Sequence, residues 1–570
     1  MGITMTSEKS NEIAKQVLLR QSHMADAREP FEADWLEIAK YMIPSLEFMN
    51  EPENIGQRPG TNIFDSTPGS FLEMEAAGLQ SHTTSATIKW FKFIASNPKH
   101  MKSRRVREWL QAMDEHFYYL FQSRSNYYQR VPSFFKPYVA LAFSSMFIDE
   151  NPGTGEIIFH IPNPWEIFVE KDANGKRDTV HRVFPMTARN MIATFEKADL
   201  SDPVITAAES NLDKSFNLIH AVYPNADKDF YKTGAQDKVY TGIFMEEGKS
   251  PEKKLLRLKG KNNPLDGYNT MPYITAAWTD VPNTAYSYGP AHMALPDTLM
   301  LNDGAEKYWT AAQKLVEPPM WLPAKYQMQG FSTAPNARNW YEEEAILDAK
   351  PIITTIDLDK LLDGIHDKRA QISSHFMADL FLMLTRAENQ PKTAYEIREK
   401  KAEQTAELDP VVSSLNTTFG MMFDRLIQLE YDAHRLPTPP PEILDRRGGY
   451  DIDYIGPLAQ AAKRMFETQG KRAFLEENQE VFDRVPSSMD NVDWDKWIQS
   501  SAESTGVNLG VIREEKAVEE IRAVRVEDQE AQRQADQMVA MGKATKDMGA
   551  PIDEKSLLGK MGGDQQAPQK

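Results

Sequence analysis

Glu317-Pro-Pro-Met-Trp-Leu-Pro323 is the stretch on which the fold turns. Its three prolines cannot continue a helix, because each lacks an amide hydrogen and fixes its own φ. Helical patterns nevertheless lie on both sides. Met293–Val316 carries Leu295, Leu299 and the Tyr308/Trp309 pair. Asp357–Leu384 places Leu358, Leu361, Leu362, Ile365, Ile372, Phe376, Leu380 and Met383 on one face, with Asp359, Asp363, Asp367 and Ser374 opposite. The spacing predicts two long helices joined by an irregular insert of about 35 residues, ending near Thr355.

Towards the N-terminus the chain is first helical. Ile13 and Val17, then Phe31, Trp35, Ile38 and Met42, recur at helical spacing, with Pro30 expected to interrupt the helix and Pro44 to stop it. A Gly, Pro and Asn-rich loop from Asn50 to Thr61 leads through Ile63-Phe-Asp-Ser-Thr67 into a small-residue helix, Ser70–Gln80. A third helix, Arg104–Tyr127, carries the stripe Val106, Trp109, Leu110, Met113, Phe117, Leu120 and Phe121. The pattern then changes to alternation. Strands are predicted at Glu156–His160, Trp165–Val169, Thr179–Phe184, Phe216–Tyr223, Val239–Met245, Lys254–Leu258 and Tyr273–Trp278, the second and third joined by the turn Lys171-Asp-Ala-Asn-Gly-Lys176.

Beyond the second long helix, the polar segment Thr385-Arg-Ala-Glu-Asn-Gln-Pro-Lys-Thr393 interrupts the pattern. Ala394–His434 is predicted helical with a kink at Pro410, and Leu436-Pro-Thr-Pro-Pro-Pro441 is a stiff connector. Leu458–Gln469, Trp494–Thr505 and Ile512–Met541 complete a helical C-terminal region. After Gly542 the chain is polar and reads as a disordered tail. The fold class is α+β, mainly helical.

The 570 residues suit several structural units. There is no cysteine, hence no disulfide framework or thiol nucleophile. The longest apolar stretch, Tyr138–Ile148, is too short to span a bilayer, and Met1–Lys9 lacks the apolar core of a signal peptide. A soluble, unsecreted protein is expected. With 65 Lys+Arg against 83 Asp+Glu the net charge is −18, which argues against an ordinary sequence-specific DNA binder. A surface that lets DNA pass without gripping it remains compatible.

Catalytic constellations do not emerge. There is no G-x-S-x-G, no Walker phosphate loop and no H-E-x-x-H. His375 and Asp379, four apart, read as a surface pair on an amphipathic helix. Glu342, Glu343 and Glu344 form a solvated acidic patch more readily than a cation site. Asp65, before Ser66 and Thr67, reads as a helix cap. Trp321, Phe331, Trp340 and Tyr341 crowd an insert too small to bury them all, as core against a neighbouring element or as an interface.

In order along the chain, several motifs resemble one family. They are Arg28-Glu-Pro-Phe-Glu-Ala-Asp-Trp35 with Pro44; Ile63-Phe-Asp-Ser-Thr67, Ala76-Ala-Gly-Leu-Gln-Ser81 and Lys89-Trp-Phe91; and Ser125-Asn-Tyr-Tyr128. The series continues with Tyr288-Gly-Pro-Ala291, Leu295-Pro-Asp297, Leu301-Asn302, Pro391-Lys-Thr-Ala-Tyr-Glu-Ile397, Leu436-Pro437 and Tyr454-Ile-Gly-Pro-Leu-Ala459. Together they are similar to the portal, or head-to-tail connector, proteins of short-tailed bacteriophages. Ser85-Ala86, where a Pro-rich turn is usual, and the variable segment 320–350 depart from the pattern.

The resemblance implies a portal fold with wing, stem, clip and crown. It implies a ring of about twelve subunits at one capsid vertex, through which double-stranded DNA enters and leaves. Residues 1–285 would be an α/β wing, 286–316 and 357–384 the stem helices, and 317–356 the clip. Residues 385–393 would be a tunnel loop, 394–454 a kinked helix returning through the wing, 455–545 a helical crown and 546–570 the tail. Arg386 and Lys392 would brush DNA in the tunnel loop, and Asp359, Asp363 and Asp367 would line the channel. Trp321, Trp340, Tyr341, Glu342, Glu343 and Glu344 would dock partners through the clip. Those partners would be a terminase motor and then a tail adaptor protein, beside the major capsid and scaffolding proteins. DNA contact would be non-specific, and no cofactor, metal or membrane is implied. The implied location is the virion, at the head–tail junction, after synthesis in the host bacterial cytoplasm. A capsid-associated nuclease or protease, or an assembly scaffold, is the alternative. The first would need a metal cluster or a nucleophile–base pair.

Overall fold

The computed structural model describes residues 7–46, 60–151, 153–226, 228, 237–247, 255–261, 264–323, 332, 334–341, 350–351, 357–385, 408–444, 449–456, short pieces between 474 and 498, and 515–547. The chain divides into two compact units, Met1–Ala462 and Lys463–Lys570.

The first unit is organised by helix α1, Ser7–Met42. Ala14 and Val17 pack against Ile219, Ala221, Ile243, Met245 and Leu255 of a sheet, while Phe31, Trp35, Ile38 and Met42 enter the main core. The expected interruption at Pro30 does not occur: the helix runs through it. A proline removes one helical hydrogen bond, and burial on both sides outweighs that loss. Arg28, buried one half-turn earlier, also ties the helix down. It donates to the carbonyls of Trp165 (2.8 Å) and Ile167 (3.0 Å), pairs with Glu32 and lies 3.6 Å from the centre of the Phe168 ring.

Helix α2 (Thr67–Thr83), strand β1 (Phe91–Ala95) and helix α3 (Arg104–Ser123) follow. All seven residues of the stripe read from the α3 sequence are buried. Around them Trp90 touches Phe91, Phe121, Tyr127, Phe419 and Phe423, an aromatic cluster that joins distant parts of the chain. The apolar stretch 138–148 is split at Ala142, whose φ is 54°. Before it lies α4 (Tyr127–Leu141), and after it β2 (Phe143–Glu150).

The two larger sheets are antiparallel. β2 lies between β10 (Tyr273–Ala277) and β3 (Ile157–His160). A six-stranded sheet runs β4 (Ile167–Lys171), β5 (Arg177–Thr187), β6 (Ser215–Pro224), β7 (Tyr240–Glu246) and β8 (Leu255–Leu256), with β9 (Asp266–Tyr268) also on β7. The strand expected from Trp165 begins later. Pro164–Glu166 is a 3-10 turn held by Asn163, whose side chain accepts from the Trp165 amide. Helices α5 (Ala188–Thr194) and α6 (Asp202–Ser210) cover Leu218 and Leu256 in a separate small core. His220 on β6 meets the Tyr273 hydroxyl on β10 at 2.8 Å and joins the two sheets; burial keeps its ring neutral, with the pKa lowered to about 3.

Helices α7 (Pro290–Val316), α8 (Leu358–His375), α9 (Ala378–Thr385) and α10 (Asp409–Asp432) follow. Of the helix expected over Ala394–His434, residues 386–407 lie outside the described residues, and Pro410 sits in the first turn of α10 rather than at a kink. A short helix α11 (Pro441–Leu444) precedes strand β14 (Tyr450–Tyr454), which pairs with β1. In the second unit the dominant element is helix α12, Glu515–Asp547, which continues past Gly542 into the start of the expected tail. Most of the predicted helix 458–469 lies outside the described residues.

Two buried carboxylates define the energetics of the first unit. Glu430 on α10 is fully buried and accepts from His116 (2.9 Å), Arg124 (3.2 Å) and Arg435 (2.8 Å). Burial alone would push its carboxyl up. Hydrogen bonds from His116 and Arg435, with the charges of Arg124 and Arg435, overcome this and hold it at about 2. Truncating one member of such a buried network strands the others. Glu430→Ala should cost about 3–5 kcal/mol in urea unfolding, and a loss below about 1 kcal/mol would contradict the network's role.

Glu75 on α2 is the opposite case. It is fully buried, neither oxygen has a hydrogen-bond partner among the described residues, and burial raises its pKa well above the ordinary range. Below the unfolded-state pKa both states hold the proton. Above it, folding must take a proton up, so stability falls by about 1.4 kcal/mol per pH unit until the folded-state pKa is reached. Glu75→Gln should therefore raise the Tm at pH 8 while leaving it little changed near pH 4. Equal shifts at the two pH values would show that the carboxyl is not held neutral.

Candidate functional site: the α7–α8 helix pair

Helix α7 begins where Gly289 passes close to Ala142 and Trp278. A Cβ there would lie 3.0 Å from the Ala142 Cβ. Pro290 occupies the first turn, where no amide is missed. The helix ends at Glu317 because Pro318 and Pro319 follow. Helix α8 starts at Asp357, whose side chain accepts from the Lys360 amide. The two run antiparallel, since Asp297 meets Lys368 and His375 while Gly304 lies against Ile365.

Charge fixes the near end of this pair. Asp297 on α7 accepts from Lys368 at 2.8 Å and from His375 at 3.3 Å. The Lys368 hydrogen bond, with that of His375, holds its carboxyl below the usual range despite partial burial. Arg369, the next residue, reaches Asp65 at 2.9 Å. Asp65 also accepts from the Thr67 amide. Burial raises its pKa, but the Thr67 and Arg369 hydrogen bonds win and lower it. The capping role read from the sequence holds in modified form: Asp65 bonds the first turn of α2 and anchors α8 as well. His375 faces Asp297 and not Asp379, so the expected surface pair is not formed.

The second long helix is not continuous. It breaks at Phe376–Met377, where Met377 has φ 45°. The break turns α9 so that Leu380 and Phe381 are buried. Phe381 lies flat enough on α2 that a Cβ on Gly78 would come within 2.2 Å of its ring. The apolar stripe is thus shared: Ile365 and Ile372 serve α8, and Phe376, Leu380 and Phe381 enter the main core beside α2.

Asp359, Asp363 and Asp367 are exposed, and none has a hydrogen-bond or ion-pair partner among the described residues. On α7, Met293, Met300, Trp309 and Val316 are exposed, the last at 81%. The insert is not irregular throughout. β11 (Met320–Pro323) pairs in parallel with β12 (Arg338–Tyr341) and antiparallel with β13 (Lys350–Pro351). Buried Asn339 bonds both backbone groups of Ser332. The register sets Trp321 beside Asn339 and Leu322 beside Trp340, so strand alternation puts the two indoles on opposite faces. Tyr341 ends β12. Phe331, Glu342, Glu343, Glu344, Arg386 and Lys392 lie outside the described residues.

Among the described residues no group of three or more His, Asp or Glu is placed to hold a metal, and no helix is long and apolar enough to cross a membrane. Sequence reasoning missed the Asp297–Lys368 and Asp65–Arg369 ties. Their signal was available in the adjacent cations Lys368-Arg369 closing an otherwise acidic helix face.

The first unit thus carries an antiparallel helix pair, a small sheet in the insert between its helices, and unneutralised charge along one face of α8. Comparison with known proteins makes this specific. The chain belongs to the bacteriophage head to tail connecting protein family, which it matches over residues 14–512. It is 28% identical over 532 residues to the probable portal protein of Bordetella phage BPP-1, covering 91% of this chain and 92% of that one. It is 26% identical over 543 residues to the portal protein of Salmonella phage epsilon15, covering 94% of each. The resemblance read from the sequence is borne out: this is a connector of the head–tail junction, in a family of structural proteins.

The clamp at the base of α8 is testable by a double-mutant cycle. Asp297→Ala and Lys368→Ala should show a coupling of about 0.5–1.5 kcal/mol, as for a half-buried pair. Zero coupling in urea melts would remove this tie from the account.

Proposed function

We propose that the protein forms a ring, of about twelve copies, whose α7–α8 pairs surround a channel for double-stranded DNA during packaging and ejection. The observation that carries this reading is the two-sided character of the helix pair. Asp359, Asp363 and Asp367 stand exposed and unpaired on one side of α8. Met293, Met300, Trp309 and Val316 on α7 offer apolar surface that a single subunit leaves in water. Copies packed side by side would bury the apolar surface and leave the acids facing the bore. An acidic wall repels phosphate, so DNA slides without sticking. Twelve chains at −18 would bring about 216 negative charges to the ring.

In this reading residues 1–285 are the wing, 317–356 the clip and 455–545 the crown. The clip sheet docks the terminase and later a tail adaptor. Its indoles face opposite ways, so Trp340 and Trp321 would meet different neighbours. Arg386 and Lys392 would touch DNA weakly and without regard to sequence.

Light scattering of the purified chain should find a species near about 780 kDa, from twelve chains of 64.9 kDa, with a central hole in negative stain. A monodisperse monomer at micromolar concentration would sink the reading. Within an assembled ring, Trp340→Ala should weaken adaptor binding by about 1–3 kcal/mol. If ring assembly failed instead, Trp340 would belong to the intersubunit contact.

A further inference from the structure

Between Glu75 and Glu108 the chain contains no acidic residue, although it carries 83 elsewhere. The same interval holds Lys89, Lys92, Lys99, Lys102, Arg104, Arg105 and Arg107, all exposed. Three of these are offset locally. Lys89 and Lys92 act on Asp114, Lys92 also lies across the strand pair from Asp453, and Arg104 pairs with Glu108 at 2.7 Å. The other four, Lys99, Lys102, Arg105 and Arg107, have no ion-pair partner among the described residues. Glu442 reaches this segment through Ser103, from which it accepts at 3.5 Å.

Lys99 caps the 3-10 turn His100–Lys102, which holds Lys102, and Arg105 and Arg107 lie in the first turn of α3. From Lys99 to Arg107 the chain covers at most about 15 Å at helical rise, about four phosphate spacings along one DNA strand. Cations in the first turn oppose the helix dipole, and no acid stands there to relieve them. Ser103 at the cap makes no side-chain hydrogen bond to the helix; its hydroxyl donates to Glu442 instead. Apolar anchors are absent: along the sequence the large exposed apolar residues flanking this segment are Ile88 and Tyr119. A protein partner needs such anchors for affinity, whereas a phosphate backbone does not.

We propose that the surface around Lys99, Lys102, Arg105 and Arg107 is a second, sequence-independent contact for double-stranded DNA. It lies on the 3-10 turn between β1 and α3 and on the first turn of α3, apart from the α7–α8 channel candidate, and does not depend on the channel reading. The test uses the assembled full-length protein and a covalently closed DNA minicircle, which cannot thread a ring. Replacing Lys99, Lys102, Arg105 and Arg107 with alanine should weaken binding by about ten- to a hundredfold at 0.1 M salt and flatten the log K against log salt slope by about 3. Two unrelated minicircle sequences should lose equally. The charge-conserving exchange Lys99→Arg, Lys102→Arg, Arg105→Lys and Arg107→Lys should bind as the unaltered protein does. Unchanged affinity and slope in the alanine variant would overturn the proposal, whether or not rings form. So would tighter binding of poly-glutamate than of the minicircle, which would point to an acidic protein partner.

Discussion

Two carboxylates, Asp297 and Asp65, hold helix α8 in place. Successive residues on a helix point about 100° apart, so Lys368 and Arg369 cannot serve one acceptor. They reach acids on two different elements, one on α7 and one at the start of α2. That pairing fixes the rotation of α8 about its own axis. Ile365 and Ile372 are thereby directed inward, and Asp359, Asp363 and Asp367 are left in water on the far side. The acidic face is therefore a consequence of where the cations are tied.

The rest of the first unit provides the rigid base this requires. Helix α1 spans two cores and tolerates Pro30 because both halves are buried and Arg28 is locked among backbone carbonyls. Glu430 draws His116, Arg124 and Arg435 onto α10, while two and three turns earlier Phe423 and Phe419 on the same face pack against Trp90. Phe381 closes the joint between α9 and α2 through the space Gly78 leaves. Motion at the helix pair would have to work against these contacts, with the break at Met377 the one backbone position there in the left-handed region.

Charge is distributed unevenly. A net of −18 conceals an interval of 32 residues, 76–107, with seven cations and no acid. The acidic face of α8 and the basic segment 89–107 are compatible, because screening confines the field of each to about 10 Å at ordinary salt.

The sequence by itself determined the helix–insert–helix order, the buried stripe of α3, the main strands and the family. These follow from local periodicity, proline chemistry and ordered motifs, all of which are written in neighbouring residues. It misplaced features that distant contacts decide. Pro30 reads as a breaker, and burial keeps it helical. Asp357–Leu384 reads as one helix, and docking of Phe381 on α2 divides it at Met377. His375 has a helical neighbour in Asp379, yet it turns to Asp297, 78 positions earlier in the chain. The insert reads as irregular because a parallel pairing of Met320 with Arg338 has no local signature. Which carboxylate meets which cation is set by packing between elements far apart in sequence, and only the tertiary structure decides it.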